Sequence, residues 1–289
     1  MDYAQGALSY IMGPGLVPQI LLVVVLMLVV NVVISVCELI VNTLLRMSRM
    51  TTDLFPKTYT SASAVSQNPN TNPESLIYNS TDEPSGMSFT YSMWIFIDPK
   101  TFSSGRSQTC SAGSNVTTNT LKHIFHKGSK AGFPLMAPAV FVKGNSNTLR
   151  IYMNSSMAWN NFVEVPNIPV GKWFHLVIVQ RGQNMDVFVN GNIAIREQFT
   201  SVPKLNIGDV YILQEMKFLP ADHVGMQLGD FAVDGAAVGM VSRIKYFAFA
   251  GTYAQIDQLY REGPSKQIVS QSYSQQPPYF YDDWWVSRY

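Results

Sequence analysis

A long apolar run near the N-terminus constrains this chain more than any other feature of its sequence. From Leu16 to Leu45 it reads LVPQILLVVVLMLVVNVVISVCELIVNTLL, and Ile20–Val30 contains no polar residue. A bilayer core about 30 Å thick is crossed by about 20 such residues in a helix. The aliphatic residues outweigh the cost of about 3 kcal/mol for Glu38 near the helix end. The run therefore predicts a transmembrane helix within an N-terminal segment of residues 1–50.

A stripe of polar residues follows the second half of this helix. Its members recur at spacings of four, three and four, which places them on one helix face: Asn31, Ser35, Glu38 and Asn42. Polar groups at membrane depth usually pair with protein or water, so one reading is association with another helix. The other reading is simple emergence of this face at the lipid headgroups.

The charge distribution around the helix predicts its orientation. Arg46, Arg49 and Lys57 follow it, whereas side chains of the first fifteen residues carry no positive charge. The positive-inside rule then places the N-terminus in the lumen and the C-terminal domain in the cytosol. Three glycosylation triplets, which would argue for a lumenal domain if modified, begin at Asn79, Asn115 and Asn154.

The remaining chain reads as an all-β domain between two polar segments. Residues 51–75 are rich in Ser, Thr, Asn and Pro and predict an extended linker. Residues 76–264 contain short strand patterns that alternate with turn signals, as in an antiparallel sandwich. A short helix is predicted over Tyr253–Glu262, and residues 265–289 form a C-terminal tail. The clearest strands are Ser88–Asp98, Ala139–Val142, Thr148–Asn154, Trp173–Gln180, Met185–Val189, Asn192–Gln198, Asn206–Leu213 and Ser242–Ala250.

The strongest local signal is a hairpin in WFHLVIVQRGQNMDVFVNGNIAIREQF. Asn190-Gly191 supplies the two positive-φ positions of a type I′ turn. Both faces of the strand Trp173–Gln180 are largely apolar, which is typical of a strand in the middle of a sandwich.

An ordered set of segments resembles a known family. The segments are FTYSMWIFID, HIFHKGS, GKWFHLVIVQRGQNMDVFVNGNIAI, LNIGDVYI and VSRIKYFAFAGTYAQIDQLYREGP. Together they resemble the laminin-G-like members of the concanavalin-A-like lectin and glucanase superfamily. The resemblance implies a two-sheet antiparallel jelly roll that binds carbohydrate or protein, and it does not imply catalysis. The fold class expected is therefore mainly β, with a transmembrane helix followed by a concanavalin-A-like sandwich.

No pattern in the sequence predicts an enzyme or a cofactor. The E-x-D-x-x-E pattern of glucanase carboxylates is missing from the strands. His123 and His126 are three residues apart on a predicted strand, which would place them on opposite faces and disfavour a zinc site. Related domains often bind Ca²⁺ at the sheet rim, and this remains the one candidate ion. The acidic residues of that region are Asp209, Asp222, Asp230 and Asp234.

Two functions are compatible with this architecture. A net charge of +1 with 13% charged residues excludes the usual basic surface of a nucleic-acid-binding protein. The anchor followed by a cytosolic sandwich resembles virion proteins of large DNA viruses with an internal membrane. This resemblance implies a minor capsid protein that links membrane and capsid, with lipid and capsid proteins as partners. The alternative is a carbohydrate-binding membrane receptor, in which Trp159 contacts glycan unless it folds back on the sandwich.

The C-terminal tail is rich in aromatic residues. Its aromatic positions with a candidate docking role are Tyr279, Phe280, Tyr281, Trp284 and Trp285. Each such side chain can bury about 150–250 Å². The tail can pack on its own domain, lie at the membrane interface or dock into a neighbouring protein as a hot-spot peptide.

Overall fold

The computed structural model describes residues 15–80, 87–103, 120–218 and 231–269. The chain forms two compact units, residues 1–49 and residues 50–289. The helices are α1 (Leu16–Met50), α2 (Lys100–Ser103) and α3 (Tyr253–Glu262), with a 3-10 turn at Pro73–Ser75. The strands are β1 (Thr51–Tyr59), β2 (Ser63–Val65), β3 (Ser88–Ile97), β4 (Leu121–Gly128), β5 (Met136–Lys143), β6 (Leu149–Met153), β7 (Asn161–Val165), β8 (Trp173–Arg181), β9 (Asn184–Val189), β10 (Asn192–Gln198), β11 (Asp209–Ile212), β12 (Lys217–Phe218), β13 (Val233–Ala236), β14 (Gly239–Phe247) and β15 (Ile268–Val269).

The predicted N-terminal helix is confirmed. α1 contains a segment, Leu22–Leu44, whose 23 residues are long and apolar enough to cross a membrane. Every side chain from Leu22 to Leu44 is exposed in this unit. Aliphatic residues on all sides of a helix are typical of a segment that lies in a membrane or in the core of a larger protein.

The second unit is a sandwich of two sheets, as predicted. One sheet has the strand order β10-β9-β8-β3-β14-β1-β15, and the other has β12-β13-β4-β5-β6-β7, with β11 paired to β4 and β2. The pairings are antiparallel except for β1 with β15 and β13 with β4. The described residues therefore have the mainly antiparallel two-sheet architecture of the concanavalin-A-like class.

The main core lies between the two sheets. Alternate residues of β3, from Phe89 to Ile97, point inward and are buried. They meet inward residues of the opposing sheet such as Val140, Val142 and Ile151. Burial of each large aliphatic or aromatic side chain stabilises the fold by about 1.5–3 kcal/mol.

The predicted linker over residues 51–75 is wrong at its beginning. Thr51–Tyr59 forms β1, which pairs with β14 and buries Leu54 and Phe55 in the core. Two register shifts interrupt the pairing on either side of Phe55, and Pro56 lies in the second irregular stretch. Proline cannot donate to a strand ladder and is tolerated at such bulges. The irregularity removes the simple alternation that would have identified the strand.

The predicted C-terminal boundary of the sandwich at residue 264 is also too early. β15, at Ile268–Val269, adds to the edge of the seven-stranded sheet by pairing with β1. Ser265 joins it to the sheet, because its backbone N–H donates to Ser242 Oγ at 2.9 Å. Residues from 270 onward lie outside the described part of the chain. The docking roles predicted for the tail therefore stay predictions: Tyr279, Phe280, Tyr281, Trp284 and Trp285.

The predicted hairpin turn is confirmed by its backbone angles. Asn190 has φ 50° and Gly191 has φ 80°, as a type I′ turn requires. Asn190 Oδ1 also accepts a hydrogen bond from the backbone N–H of His175 at 2.9 Å, which ties the turn to β8. β9 and β10 therefore form one rigid hairpin at the edge of the seven-stranded sheet.

Candidate functional site: a groove on the outer sheet face

Helix α3 covers only part of the outer face of the seven-stranded sheet. Val177 and Val179 point outward from β8 and pack against Ile256 of α3, with Phe188 of β9 at the border of this cluster. β9 and β10 lie farther toward the edge of the sheet. Their outward side chains are therefore left to form a surface beside the helix.

A capping box fixes the start of α3 at the edge of this surface. The side chain of Thr252 accepts from the backbone N–H of Gln255, and the side-chain oxygen of Gln255 accepts from the N–H of Thr252 at 2.9 Å. This reciprocal arrangement satisfies two backbone donors and fixes the direction of the first turn. Tyr253 is the first helical residue, and 64% of its surface is exposed.

A buried carboxylate with two arginines forms the polar part of the surface. Asp186 of β9 is buried and accepts from Arg196 Nε at 2.6 Å and from Arg196 Nη2 at 3.1 Å. Arg181 Nη1 lies 3.9 Å from the same carboxylate, and its Nη2 donates to the carbonyl of Gly251 at 3.1 Å. Because two guanidinium groups surround one carboxylate, the surface carries an excess positive charge.

These side chains line an open groove of about 500 Å³. The lining residues are Arg181, Asp186, Phe188, Asn192, Ile193, Arg196, Gly251 and Tyr253. Small-molecule sites typically combine aromatic and aliphatic walls with a few fixed polar groups. The outer groove offers an exposed tyrosine, two guanidinium groups and an amide in one concavity.

Trp159, the residue predicted to contact glycan, lies elsewhere in the sandwich. Its ring meets Phe133 edge to face at 4.9 Å and Phe231 at 5.5 Å. These rings belong to a second apolar cluster that includes Phe141 and Tyr152 of the eight-stranded sheet. Trp159 is half-buried and folds back on the sandwich, although it also lines a depression of about 220 Å³. A glycan contact at Trp159 stays a prediction.

His123 and His126 lie on the same side of β4, so the predicted opposite placement is wrong. His126 Nδ1 lies 2.8 Å from His123 Nε2. The register of β4 against β5 shifts between His123 and Phe125, and both Ile124 and Phe125 point into the main core. This bulge cancels the alternation that the sequence argument assumed.

The acidic residues considered for Ca²⁺ are not brought together where they are described. Asp209 pairs opposite Gly128 at one end of β4, whereas β13, which carries Asp234, pairs with the other end at Leu121. Asp222 and Asp230 lie outside the described residues. Within residues 15–80, 87–103, 120–218 and 231–269, no group of three or more His, Cys, Asp or Glu side chains could hold a metal ion.

The polar stripe of α1 is exposed along the apolar helix. Its four members have no cover from the unit to which they belong: Asn31, Ser35, Glu38 and Asn42. Asn31 Nδ2 donates to the carbonyl of Met27 at 3.1 Å, one turn earlier. Association of this stripe with another helix stays a prediction.

Comparison with known proteins assigns the sandwich to a family. A family model described as the concanavalin A-like lectin/glucanases superfamily matches residues 70–218, about half of the chain. The chain belongs to this superfamily. The match covers β3 to β12, which includes the hairpin and most of the residues that line the outer groove. No curated protein matches the chain.

Several solved structures are similar to the superfamily domain at low identity. The receptor binding domain of a botulinum neurotoxin C/D mosaic serotype is 12% identical with a TM-score of 0.45, over 71% of this chain and 42% of that one. The botulinum neurotoxin serotype D ligand binding domain, solved in complex with N-acetylneuraminic acid, is 12% identical with a TM-score of 0.45, and the match covers 71% of this chain and 41% of that one. The receptor binding domain of botulinum neurotoxin D is also 12% identical with a TM-score of 0.45, and the match covers 72% of this chain and 43% of that one. This chain thus spans less than half the length of these relatives.

Proposed function

We propose that the protein is a single-pass membrane protein whose sandwich binds carbohydrate, without catalysis, in the outer groove. The observation that carries this proposal is the pairing of an exposed Tyr253 with two arginines around the buried Asp186. This group of side chains combines an aromatic surface with charged groups, which suits a sugar ring with polar substituents.

The groove favours saccharides with an acidic group. Guanidinium groups bind carboxylates and sulfates through two parallel hydrogen bonds. Arg196 is mostly exposed, and Asp186 holds it in place by a bidentate contact. The face of Tyr253 can pack on the C–H surface of a sugar ring while its hydroxyl stays in water. An acidic sugar would thus meet positive charge and an apolar platform at once.

The anchor of the proposed receptor is Leu22–Leu44. Arg46, Arg49 and Lys57 follow it, and this charge bias supports a cytosolic sandwich. In sealed microsomes, protease added outside should degrade the sandwich. In the same microsomes, Asn79, Asn115 and Asn154 should carry no glycan. Protection of the sandwich, or glycan on any of these residues, would overturn the orientation.

Carbohydrate binding is tested with the full chain in lipid nanodiscs on a glycan array that includes sialylated, uronic and sulfated sugars. We expect Tyr253→Ala and Arg196→Ala each to weaken binding of the best ligand about tenfold, or about 1.4 kcal/mol. Arg261→Ala is the matched control, because Arg261 is also exposed and also pairs with an aspartate, Asp257, but lies outside the groove.

Two outcomes would refute this assignment. The first is binding of no glycan by the wild-type chain at millimolar concentrations. The second is glycan binding that both groove variants leave unchanged, which would place the sugar elsewhere, with the depression beside Trp159 as the next candidate.

A second candidate function is a structural role in an ordered assembly. The exposed polar stripe on α1 favours it, because an exposed Glu38 in an apolar helix is costly in lipid and less costly against a partner helix. The finer form of this proposal is a minor capsid protein that links an internal virion membrane to capsid proteins. Glu38→Leu should then reduce cross-linking to neighbouring chains in isolated membranes or particles, whereas Leu39→Ala should not. Unchanged cross-linking would leave the stripe without an assembly role.

A further inference from the structure

The chain enters the sandwich at one particular end. Thr51 pairs opposite Phe247, and Phe247 pairs opposite Thr90 near the beginning of β3. At the same end of this sheet, β10 ends at Gln198, which pairs with Asn184 at the beginning of β9. Three loops connect strands at this end: 129–135 between β4 and β5, 154–160 between β6 and β7, and 199–208 between β10 and β11. We call this end, with its three loops, the entry end.

Hydrogen bonds tie these three loops together. The backbone N–H of Ser156 donates to the carbonyl of Val202 at 3.1 Å, and the N–H of Lys204 donates to the carbonyl of Asn154 at 2.9 Å. The buried Lys127, at the end of β4, donates through Nζ to the carbonyl of Gly208 at 2.9 Å. Pro134 and Leu135 of the first loop line the same depression as Lys204. The loops therefore present a fixed surface.

This fixed surface exposes four aliphatic side chains. Met157 is 83% exposed and Ile207 is 79% exposed, the two largest values for large hydrophobic residues in the described chain. Leu205 is 51% exposed, and Val202 is exposed as well. Single exposed aliphatic residues are ordinary, but several on adjacent hydrogen-bonded loops indicate a contact surface.

The charge of the same loops is of one sign. Loops 129–135, 154–160 and 199–208 contain two lysines, Lys130 and Lys204, and no acidic residue. Both lysines are exposed. Exposed apolar side chains on loops that carry lysines but no acidic residue of their own match the boundary between acyl chains and anionic headgroups.

We propose that the entry end is seated on an anionic lipid surface, with Met157, Leu205 and Ile207 inserted among the headgroups. This inference rests on the anchor of the proposed function. Met50 ends α1 and Thr51 begins β1, so no linker intervenes. The six residues from Leu44 to Met50 add only about 9 Å of helix, about the depth of a headgroup layer. The first strand of this end thus follows the anchor directly in the chain.

The experiment uses the full chain, with Cys37→Ser and Cys110→Ser as background, in vesicles of phosphatidylcholine with phosphatidylserine. An environment-sensitive fluorophore is placed at Leu205→Cys and, as the matched control, at Val238→Cys. Val238 is 48% exposed, close to the value for Leu205, and it lies at the opposite end, where its carbonyl accepts from Asp98 after β3. Met157→Cys and Ile207→Cys give two further positions on the entry end.

Brominated phosphatidylcholine should quench the label at Leu205 about twofold or more beyond the label at Val238. Replacement of phosphatidylserine by phosphatidylcholine should reduce the difference. Equal quenching at both ends in a chain that resists alkaline carbonate would overturn this proposal and leave the anchor intact. A label shielded from aqueous iodide but not quenched by brominated lipid would mean that protein covers the entry end, which also overturns it. Extraction of the chain by carbonate would refute the anchor and this proposal together.

Discussion

Acidification from about pH 8 to about pH 5 should destabilise the sandwich, because three buried histidines are uncharged in the fold. His123 and His126 form a hydrogen-bonded chain that fixes their tautomers. The backbone N–H of Gln214 donates to His123 Nδ1 at 3.0 Å, so the proton of His123 is on Nε2 and faces His126 Nδ1. His126 Nε2 then donates to the carbonyl of Ser129 at 2.9 Å. A further proton on either ring would place two N–H groups opposite each other.

The magnitude follows from the pKa shifts. Burial lowers the pKa of His126 from 6.5 to about 4, against a small opposing effect of its bond to Ser129. Burial likewise lowers the pKa of His175 to about 4, and nearby Glu262 raises it slightly. Burial and the neighbouring His126 lower the pKa of His123 well below its usual value. Since the unfolded histidines bind protons more tightly, stability is full above about pH 6.5 and is lost as pH falls toward about 4. At about pH 5, His126 and His175 each account for about 2 kcal/mol.

The assay is urea unfolding of the full chain in detergent micelles, followed by tryptophan fluorescence. A loss of about 4 kcal/mol corresponds to a decrease of about 1–2 M in the urea midpoint. His126→Asn is the informative variant, because an amide can accept from His123 and donate to the Ser129 carbonyl without titrating. Unfolding of this variant should take up about one proton fewer at about pH 5, so its urea midpoint should fall less between about pH 8 and about pH 5. A midpoint that is the same at both pH values, or higher in acid, would refute the assignment of neutral buried histidines.

Two backbone predictions concern single turns. Asn190→Val should destabilise the sandwich by about 1–2 kcal/mol, because a branched residue resists φ 50°, whereas Asn192→Val at an exposed strand position should change stability by less than about 0.5 kcal/mol. Gly128→Ala should cost more than about 2 kcal/mol, because its Cβ would lie 1.9 Å from the carbonyl oxygen of Leu135. Gly191→Ala, at φ 80° in the hairpin turn with no atom closer than 3.8 Å to the added Cβ, should cost only about 1 kcal/mol in the same urea titration. Equal losses for the two glycine variants would contradict the close approach at Gly128.

The parts of the fold that were predictable are those encoded by local patterns. The apolar run of α1, the Asn190-Gly191 turn and the helix Tyr253–Glu262 each depend on residues that are close in sequence, and each was predicted at the right place. β1 depends instead on β14, which lies almost two hundred residues later. Its Pro56 and its interrupted alternation resemble a linker until that partner strand is present.

The outer groove was missed for a related reason. Its residues come from the β8–β10 hairpin region and from Tyr253 at the start of α3, and sequence alone does not say that these segments meet. A partial signal was available, because a hairpin that turns at Asn190-Gly191 brings Asp186 close to the positive residue of β10. The buried state of Asp186 and the second arginine depend on packing that no local pattern contains.

Departures from regular pairing decide which side chains of this sandwich can act together. A two-residue turn that pairs Val189 with Asn192 would, in regular register, place Asp186 opposite Ile195. The register instead shifts by one residue between Ile193 and Ile195, so that Arg196 lies opposite Asp186 and can reach its carboxylate with two nitrogens. A bulge re-aims side chains in this way while the rest of the hairpin keeps its inward residues in the core. The bulge in β4 has the same effect on His123 and His126. In both places alternation along a strand gives the wrong neighbours, and the shift that corrects them is set by the partner strand.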